Sequence, residues 1–438
     1  MSRISTFGRG GVHPQDGKSL SKDKAIEYLP LPGELYLSMS QHLGAPATPL
    51  KKKGDRVERG ELVGEASSFI SANVHSPVSG VVSDVRQIRL ATGQNATCLV
   101  IKVDEDQGED PFKKEYPYKD MTGEEILALI KDMGVVGMGG ATFPTSVKLQ
   151  IPTGKKVDNL IINGVECEPY ITSDYRSMLE RADGILEGIM ILAKTVNPEK
   201  ISIGVEMNKM DAVAHLEKKI SEKGYPIEVV ALKMKYPQGD EKQLIKAVAN
   251  REVPSGKLPI DIGAVVANIS TCYAVYEAVV FHKPLIERVV TVSGDGSNDP
   301  KNIIAPIGTK SSDLFAFSGG LKDTAVKMIA GGPMMGFAYS REDTPTVKGT
   351  GGITVLTFQD ELLSAFPCVS CGKCVEHCPM GLQPNKMFRN IKWGNYEEAM
   401  ALGLMDCKEC GCCAYSCPSH LPLVQGFKMG KKLGRKKK

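Results

Sequence analysis

Two short runs near the C-terminal end contain most of the cysteines of this chain. They are CVSCGKCVEHCP, from Cys368, and CKECGCCAYSCP, from Cys407. Each run reads C-x2-C-x2-C-x3-C-P, a spacing in which thiolates, which are soft ligands for iron, hold 4Fe–4S clusters. The sequence therefore predicts two 4Fe–4S clusters in one C-terminal unit.

The ligands of the two clusters are expected to cross between the runs. Where two such runs are present, the fourth cysteine of one run binds the cluster of the other. We assign cluster 1 to Cys368, Cys371, Cys374 and Cys417, and cluster 2 to Cys407, Cys410, Cys413 and Cys378. Two zinc sites are the alternative interpretation, because paired cysteines also bind structural zinc. Cys412 and His377 are not needed by either set and are expected to be bystanders.

The composition is that of a folded protein with balanced charge. The 438 residues are enough for about two to four domains with cores of their own. The chain has 54 Lys and Arg against 51 Asp and Glu, a net charge of +3, which gives no reason to expect a nucleic-acid partner. No stretch approaches the roughly 20 apolar residues that span a bilayer, and the first residues do not resemble a signal peptide. Because thiolate clusters need reduced cysteines, we expect a cytoplasmic location.

The N-terminal region, residues 1–115, is expected to be a small β-sandwich. Short valine-rich runs alternate with glycine and proline between Lys51 and Val103, which is typical of strands and turns. The stretch resembles the barrel-sandwich hammerhead of biotinyl and lipoyl domains. There is no lysine between Glu61 and Arg86, so the resemblance does not extend to a swinging arm.

The middle of the chain, residues 116–284, alternates apolar strand-like runs with helix-like segments. NLIING, KISIGVEM and IEVVALKM are strand candidates, and TGEEILALIKDMG opens with a capping-box pattern at Thr122 and Glu125. This alternation predicts a parallel sheet covered on both faces, with ligands at the carboxyl ends of its strands. We expect a small mixed domain over 285–345, a polar linker, a helical two-cluster domain over 358–425, and a basic tail over 426–438. The tail either contacts anionic lipid or an acidic partner, or is a solvated terminus.

Two further stretches have the residue types of a cofactor site. In GVVGMGGATFPTSVK, Gly137, Gly139 and Gly140 remove the Cβ atoms that keep backbone N–H groups from a phosphate, and Lys148 could neutralise it. Glycine clusters also mark ordinary turns. In INGVECEPYITSDYR, Asn163, Glu166 and Glu168 follow an apolar strand, where a ligand of a parallel sheet would lie. The alternative is a charge pattern at a helix N-terminus near Asp174.

Taken together, these motifs resemble the flavoprotein subunit of respiratory complex I. The match consists of Gly137, Gly139, Gly140, Ala141, Phe143, Pro144, Thr145, Lys148, Asn163, Glu166 and Glu168. YPQGDEKQL and VVANIST resemble further flavin loops of that family, which adds Gly239, Asp240, Glu241 and Asn268. With the two cysteine runs and the hammerhead, the chain is more similar still to the C subunit family of Rnf complexes, which are membrane-associated ferredoxin:NAD oxidoreductases.

The resemblance implies an α/β multidomain protein. Its parts would be a barrel-sandwich hammerhead, a Rossmann-like FMN/NADH-binding domain, a β-grasp-like (SLBB) domain and a helical two-cluster ferredoxin-like domain. The residues implied for FMN are Gly137, Gly139, Gly140, Lys148, Asn163, Glu166, Gly239, Asp240, Glu241 and Asn268, and those implied for NADH are Phe143 and Glu168. Thr142, Val165 and Ala267 depart from the complex I pattern, which has a glycine, an acidic residue and an asparagine there.

The implied function is electron transfer between NAD(H), FMN and two 4Fe–4S clusters, in an order that the sequence does not give. A flavin would connect hydride transfer by the nicotinamide with one-electron transfer by the clusters. The chain would be a peripheral subunit on the cytoplasmic face of the cell membrane, bound to other Rnf subunits and served indirectly by ferredoxin, while those subunits translocate ions. The alternatives are a soluble NADH-dependent cobalamin reductase and a non-catalytic electron-transfer scaffold.

Overall fold

The computed structural model describes residues 4–357 and 364–435. Residues 1–3 of the expected N-terminal domain, residues 358–363 of the expected cluster domain and residues 436–438 of the expected basic tail lie outside these ranges. Among the described residues, no helix is both long enough and apolar enough to cross a bilayer.

The N-terminal region folds into two small antiparallel sheets, with strand orders β2-β8-β7-β4 and β3-β5-β6. Leu35 and Ile101 from the larger sheet share one buried cluster with Val63 and Val74 from the smaller sheet. The predicted sandwich is therefore present. The strands of this region are β1 (Ile26–Tyr28), β2 (Glu34–Ser38), β3 (Thr48–Pro49), β4 (Arg56–Val57), β5 (Leu62–Glu65), β6 (Val74–His75), β7 (Gly80–Arg89) and β8 (Asn95–Val103).

The middle of the chain is a four-stranded parallel sheet with order β11-β10-β9-β12. Alternate residues of β9 enter different cores: Ile161 packs on one side of the sheet, and Leu160 and Ile162 on the other. This double burial confirms the predicted parallel sheet with helices on both faces. The elements are α1 (Gly123–Asp132), α2 (Thr145–Lys148), β9 (Asn159–Gly164), α3 (Ser173–Glu180), α4 (Ala182–Val196), β10 (Lys200–Glu206), α5 (Met210–Lys223), β11 (Ile227–Leu232), α6 (Glu241–Ala249), β12 (Ala264–Asn268) and α7 (Ile269–Val280).

Short sequence signals account for the start of α1 and for the close packing of α4 against α7. The predicted capping box is formed at α1, where Thr122 Oγ1 accepts from Glu125 N–H at 3.3 Å and Thr122 N–H donates to the Glu125 carboxylate at 2.7 Å. α4 and α7 pack so closely that a Cβ at Gly188 would lie 1.9 Å from the carbonyl oxygen of Cys272. Glycine is therefore required at this helix crossing.

The third unit is a six-stranded mixed sheet with order β1-β14-β13-β17-β15-β16. Its elements are β13 (Glu287–Ser293), β14 (Lys301–Pro306), α8 (Ser311–Phe317), β15 (Ala325–Ala330), β16 (Phe337–Tyr339) and β17 (Gly352–Thr357). The sheet extends beyond the expected boundary at residue 345, because β17 lies in its interior, between β13 and β15. The N-terminal strand β1 also joins this sheet, in parallel with β14. Both strands are short and find their partners far away in sequence, so local pattern does not reveal them.

The C-terminal unit is helical and consists of α9 (Lys373–Glu376), α10 (Pro384–Lys392), α11 (Tyr396–Ala401), α12 (Cys412–Tyr415) and α13 (Leu423–Arg435). It has a core of its own, which includes Met387, Ile391 and Phe427. The segment expected to be a basic tail is a helix over its described part, because α13 buries Phe427 on the apolar side and Gly430 closely approaches Ile391. Lys428, Lys431 and Lys432 make this helix basic, and Lys431 donates to the carbonyl oxygen of Cys407 at 2.7 Å and pairs with Glu409 at 2.7 Å.

Residues 5–18, which we call the N-terminal strap, connect the four-stranded parallel sheet to the C-terminal helical unit. Val12 forms an antiparallel bridge with Tyr236, which follows β11. Gly11 N–H donates to the carbonyl oxygen of His377 at 2.9 Å, and His377 Nδ1 lies 2.8 Å from the Gly11 carbonyl oxygen. The first residues of the chain therefore touch the loop that carries Cys378.

Candidate flavin and cluster sites

The glycine-rich loop, residues 134–144, joins α1 to α2 and is closed by a bond from Gly137 N–H to the Phe143 carbonyl oxygen at 2.8 Å. Gly139 lies against β12, where an added Cβ would be 2.7 Å from Asn268 Nδ2. An added Cβ at Gly140 would meet nothing within 4 Å. Glycine at 139 thus allows a close approach to Asn268, and Gly140 borders open space.

Three consecutive N–H groups of this loop are available to a ligand. Within the described residues, the backbone N–H groups of Gly139, Gly140 and Ala141 have no hydrogen-bond acceptor in the protein. Unpaired N–H groups in a turn are suited to binding an anion. The loop can therefore receive a phosphate group without losing any internal hydrogen bond of these three donors.

The loops at the carboxyl ends of the strands meet next to the glycine-rich loop. Asn163 Nδ2 donates to the Gly239 carbonyl oxygen at 2.9 Å, and Asn268 Nδ2 donates to the Asp174 carboxylate at 2.6 Å. Asp240 caps α6 by accepting from the N–H groups at the start of that helix. Gly139, Asn163, Gly239 and Asn268 thus lie together, as sequence reasoning expected.

Lys148 and Glu241, both predicted at the FMN site, form an ion pair with each other at 2.6 Å. Each side chain is about one-third exposed, at 36% and 34%. The pair joins α2 to α6 at the edge of the site. A phosphate would have to compete with Glu241 for the Lys148 ammonium group.

Glu166 is directed to the start of α3. Its carboxylate accepts from Asp174 N–H at 2.7 Å and from Tyr175 N–H at 3.1 Å. Burial raises the pKa of Glu166 to about 7, while the charge of Lys18 acts in the opposite direction. The alternative interpretation was a negative charge at the N-terminus of a helix near Asp174. The contacts of Glu166 agree with that interpretation as well.

Glu168 connects the sheet domain to the third unit. Its carboxylate accepts from Met334 N–H at 3.2 Å, from Met335 N–H at 2.9 Å and from the Tyr236 hydroxyl at 3.3 Å. Burial raises the pKa of Glu168 to about 6, and these three donors limit the rise. An added Cβ at Gly332 would lie 2.2 Å from Glu168 Oε2, so glycine is needed for this close approach.

Tyr236 is a site residue that sequence reasoning missed. Its ring is buried, and its hydroxyl lies 2.8 Å from the carbonyl oxygen of Cys410 as well as near Glu168. The hydroxyl has a single proton, so it donates to one of these two acceptors at a time. The sequence signal that could have found it is the tyrosine of the YPQGDEKQL loop. A buried tyrosine needs a polar partner for its hydroxyl, so this residue was a candidate for a contact.

The cysteines of the two runs surround two separate cavities. The first cysteine cavity is lined by Cys368, Cys371, Cys374 and Cys417, together with Asn385 and Leu423. The second cysteine cavity is lined by Cys378, Cys407, Cys410 and Cys413, together with the extra Cys412. In each set, one cysteine comes from the other run, as in the crossed assignment made from the spacing. His377 borders neither cavity.

The three departures from the complex I pattern have different surroundings. Thr142 has φ of +53°, a left-handed conformation that favours the glycine of the complex I pattern. Val165 and Ala267 are buried, and Val165 packs with Leu232 and Leu244. An acidic residue at 165 would be buried in this apolar core.

Four family models cover most of the chain. They are described as the RnfC barrel sandwich hybrid domain (6–106), the Nuo51 FMN-binding domain (130–277), the SLBB domain (289–338) and the 4Fe-4S dicluster domain (367–422). The C subunit of a proton-translocating ferredoxin:NAD(+) oxidoreductase complex from Clostridium ljungdahlii is 44% identical over 89% of this chain and 86% of its own length. This chain belongs to that C subunit family.

Other members of the C subunit family give the same result. The sodium-translocating complex of Acetobacterium woodii has a C subunit that is 42% identical over 86% of this chain and 85% of its own length. That of Rhodobacter capsulatus is 40% identical over 97% and 82%. A crystal structure of an NAD+-reducing NiFe-hydrogenase has a TM-score of 0.51 at 17% identity, over 73% of this chain and 63% of its own, and shares the fold.

Membership of the C subunit family confirms the expected fold class and the FMN and 4Fe–4S cofactors. The dicluster match decides against the two zinc sites. The open space at Gly140 and the unpaired N–H groups of the glycine-rich loop fit the phosphate of FMN, and the eight cysteines around two cavities fit two clusters. The chain is therefore a flavin iron–sulfur oxidoreductase subunit.

Proposed function

We propose that this chain transfers electrons between NAD(H) and two 4Fe–4S clusters as a peripheral subunit of an ion-translocating ferredoxin:NAD(+) oxidoreductase. FMN, when bound, supplies the conversion between hydride transfer and one-electron transfer. The observation that carries the proposal is the position of Tyr236, which touches Glu168 of the flavin domain and Cys410 of the cluster domain. Tyr236 thus links Glu168, which we propose for NADH, to a cysteine of the second cavity.

The residues proposed to hold FMN are those of the glycine-rich loop and the strand ends. They are Gly137, Gly139, Gly140, Lys148, Asn163, Glu166, Gly239, Asp240, Glu241 and Asn268. Gly139 to Ala141 would donate their free N–H groups to the phosphate, while Glu166 and Asp240 hold the starts of α3 and α6. For NADH we propose Phe143 and Glu168, which lie at the end of the loop and at the junction with the third unit.

We further propose an order for the two clusters. Cys378, Cys410 and Cys413 of the second cavity are buried, and the flavin domain contacts this cavity through Tyr236. Cys368 and Cys371 of the first cavity are exposed. The order is therefore NAD(H), FMN, cluster 2 and then cluster 1, with cluster 1 facing the next electron carrier.

The partners follow from the family. Its members are named as subunits of complexes, so we propose that other Rnf subunits bind this chain, that ferredoxin serves it indirectly, and that no nucleic acid is involved. These partners would hold the chain at the cytoplasmic face of the cell membrane and would translocate the ions. The exposed cysteines of the first cavity favour a redox partner at that end.

Anaerobic reconstitution tests the proposal. The protein is loaded with iron, sulfide and FMN, NADH is added, and the flavin and cluster absorptions are followed separately. We expect NADH to bleach the flavin and then the clusters. Clusters that bleach with dithionite while NADH leaves the flavin oxidised would instead support the non-catalytic scaffold.

A variant pair locates the NADH contact. Glu168→Gln should lose NADH-dependent flavin reduction, because a neutral side chain replaces the carboxylate at the junction. Glu217→Gln, at an exposed position of α5, should behave as the wild type. Equal rates in the two variants would remove Glu168 from the proposed site.

A further inference from the structure

Two buried cations outside the flavin domain lie behind the glycine-rich loop. Arg288, on β13, is 7% exposed, and Lys348, in the segment before β17, is 1% exposed. In the part of the chain that the structure describes, neither forms an ion pair with a carboxylate. Buried charges are normally paired, because removing an ion from water has a large free-energy cost.

Each cation donates to a carbonyl oxygen of the loop. Lys348 Nζ donates to Gly134 at 2.7 Å, and Arg288 Nη2 donates to Met138 at 2.9 Å. A third loop carbonyl, that of Thr142, accepts from the N–H of Leu43 in the sandwich at 3.0 Å. The loop is thus held from behind by its carbonyl groups at three points.

The two cations are also joined to each other. Arg288 Nη1 donates to the carbonyl oxygen of Lys348 at 2.5 Å, and Lys348 Nζ donates again to Asn73 of the sandwich at 2.6 Å. The sandwich, the flavin domain and the third unit therefore all contribute to one junction. Two of these hydrogen bonds end on the loop backbone, at Gly134 and Met138.

The loop also has backbone N–H groups that find no acceptor within the described residues, among them those of Gly139, Gly140 and Ala141. Because three carbonyl groups of the loop are already bonded and these N–H groups are free, the loop and the two cations together favour an anion. The side chain of Arg288 adds a buried Nε that has no hydrogen-bond partner among the described residues.

Burial works against the charged form of both groups. Burial lowers the pKa of Lys348 to about 7. Burial lowers that of Arg288 to about 10, although the charge of Asp174 acts in the opposite direction. Asp174 is itself bonded to Asn268 and Ser270. A negatively charged group on the loop would favour the charged form of both cations.

We propose that Arg288 and Lys348 are positioning residues for the phosphate group of the flavin nucleotide. They fix the glycine-rich loop from behind and supply positive charge that the bound phosphate compensates. This inference rests on the proposed binding of FMN at the loop. It adds to the site two residues that come from outside the flavin domain.

The test compares two flavins that differ only by the phosphate. The cluster-loaded, flavin-free protein is titrated with FMN and with riboflavin, and binding is followed by quenching of flavin fluorescence. In Arg288→Gln and in Lys348→Met, FMN affinity should fall at least tenfold, while riboflavin affinity should change less than twofold. Lys322→Gln, an exposed lysine of the same unit, should leave both affinities unchanged. Arg288→Lys should fall between the wild type and Arg288→Gln.

The outcomes separate this inference from the proposed function. Wild-type protein that binds neither flavin would overturn both. Wild-type binding of FMN with unchanged affinity in the variants, or an equal loss for both flavins, would overturn only the role of the two cations. Thermal unfolding of the flavin-free protein controls for folding, since Lys348→Met leaves the carbonyl oxygens of Gly134 and Asn73 without this donor and should lower the melting temperature. The increase that FMN then produces should be smaller than in the wild type.

Discussion

The two cysteine cavities have the same sequence pattern but different surroundings. The first has Cys368 and Cys371 at the surface, next to the exposed side chains of Phe366 and Val369. In the second, Cys378, Cys410 and Cys413 are buried, and the N-terminal strap, Tyr236 and the loop at Met334 all pack against its cysteine loops.

The comparison shows that the spacing selects the cluster type, whereas the neighbouring residues decide which cluster meets the flavin domain. Gln243 of α6 also lies 3.3 Å from Met380 Sδ, in the loop that follows Cys378. The contacts that distinguish the cavities come from parts of the chain that lie far from the cysteines in sequence. A local motif cannot contain that information.

The largest effect is expected when one cysteine is removed from either cavity, which tests the order of the clusters. In Cys413→Ser, NADH should reduce the flavin but reduce cluster 1 at a rate about a hundredfold lower, because the intermediate carrier is lost. In Cys371→Ser, NADH should still reduce cluster 2 at the wild-type rate. Rapid-mixing absorption spectroscopy with low-temperature EPR distinguishes the clusters. Normal reduction of cluster 1 in Cys413→Ser would reverse the proposed order.

The pH dependence of reduction by NADH should show whether Glu168, near the second cavity, takes part in the reaction. If the ionised form of Glu168 is needed, the rate of reduction by NADH should fall as the pH falls through its pKa of about 6. One pH unit below the pKa, about a tenth of the carboxylate is ionised, so a decrease of about tenfold from pH 7 to pH 5 is expected. Reduction by dithionite should not show this titration. A pH profile with no inflection near 6 would contradict the role of Glu168.

Tyr236→Phe would remove the hydroxyl between the two domains while keeping the ring. The carbonyl oxygen of Cys410 and the carboxylate of Glu168 would each lose a possible donor, at a cost of about 1 kcal/mol or more. Cluster reduction by NADH should slow about fivefold, with little change in flavin reduction. Tyr415→Phe, an exposed tyrosine of α12, is the matched control. Equal kinetics in the two variants would mean that the Tyr236 hydroxyl does not contribute.

Chelation of the cluster iron should distinguish the two cavities, because their cysteines differ in exposure. Iron at the first cavity should be released several-fold faster than iron at the second, because two of its four cysteines are exposed. The loss of each EPR signal is followed in an anaerobic incubation with a chelator. A single common rate would show that the burial of the cysteines of the second cavity does not protect its cluster.

Sequence reasoning succeeded where the signal is local. The cysteine spacing, the capping box at Thr122 and the apolar runs around Ile162 and Ile203 each lie within one short segment. The grouping of Asn163, Gly239 and Asn268 was also expected, because the ends of parallel strands share one edge of the sheet.

The parts that sequence reasoning missed depend on distant partners. β17 lies in the interior of a sheet whose other strands come from other parts of the chain. Tyr236 connects two domains only because the fold places Cys410 beside it. Arg288 has no motif at all, since its significance comes from the Met138 carbonyl group, 150 positions away. Lys148 was expected to meet a phosphate, and its pairing with Glu241 follows from the packing of α2 near α6.

The N-terminal strap has a consequence for how the molecule is made. Gly11 and His377, which hydrogen-bond to each other, are separated by 366 positions. At about 5–20 residues per second, the ribosome needs roughly 20 to 70 seconds between these two residues. The strap therefore waits without its final partner throughout most of translation. Its closure onto the loop of Cys378 marks a late step of biogenesis, so a bulky fusion at the start of the chain should disturb cluster assembly at the opposite end of the sequence.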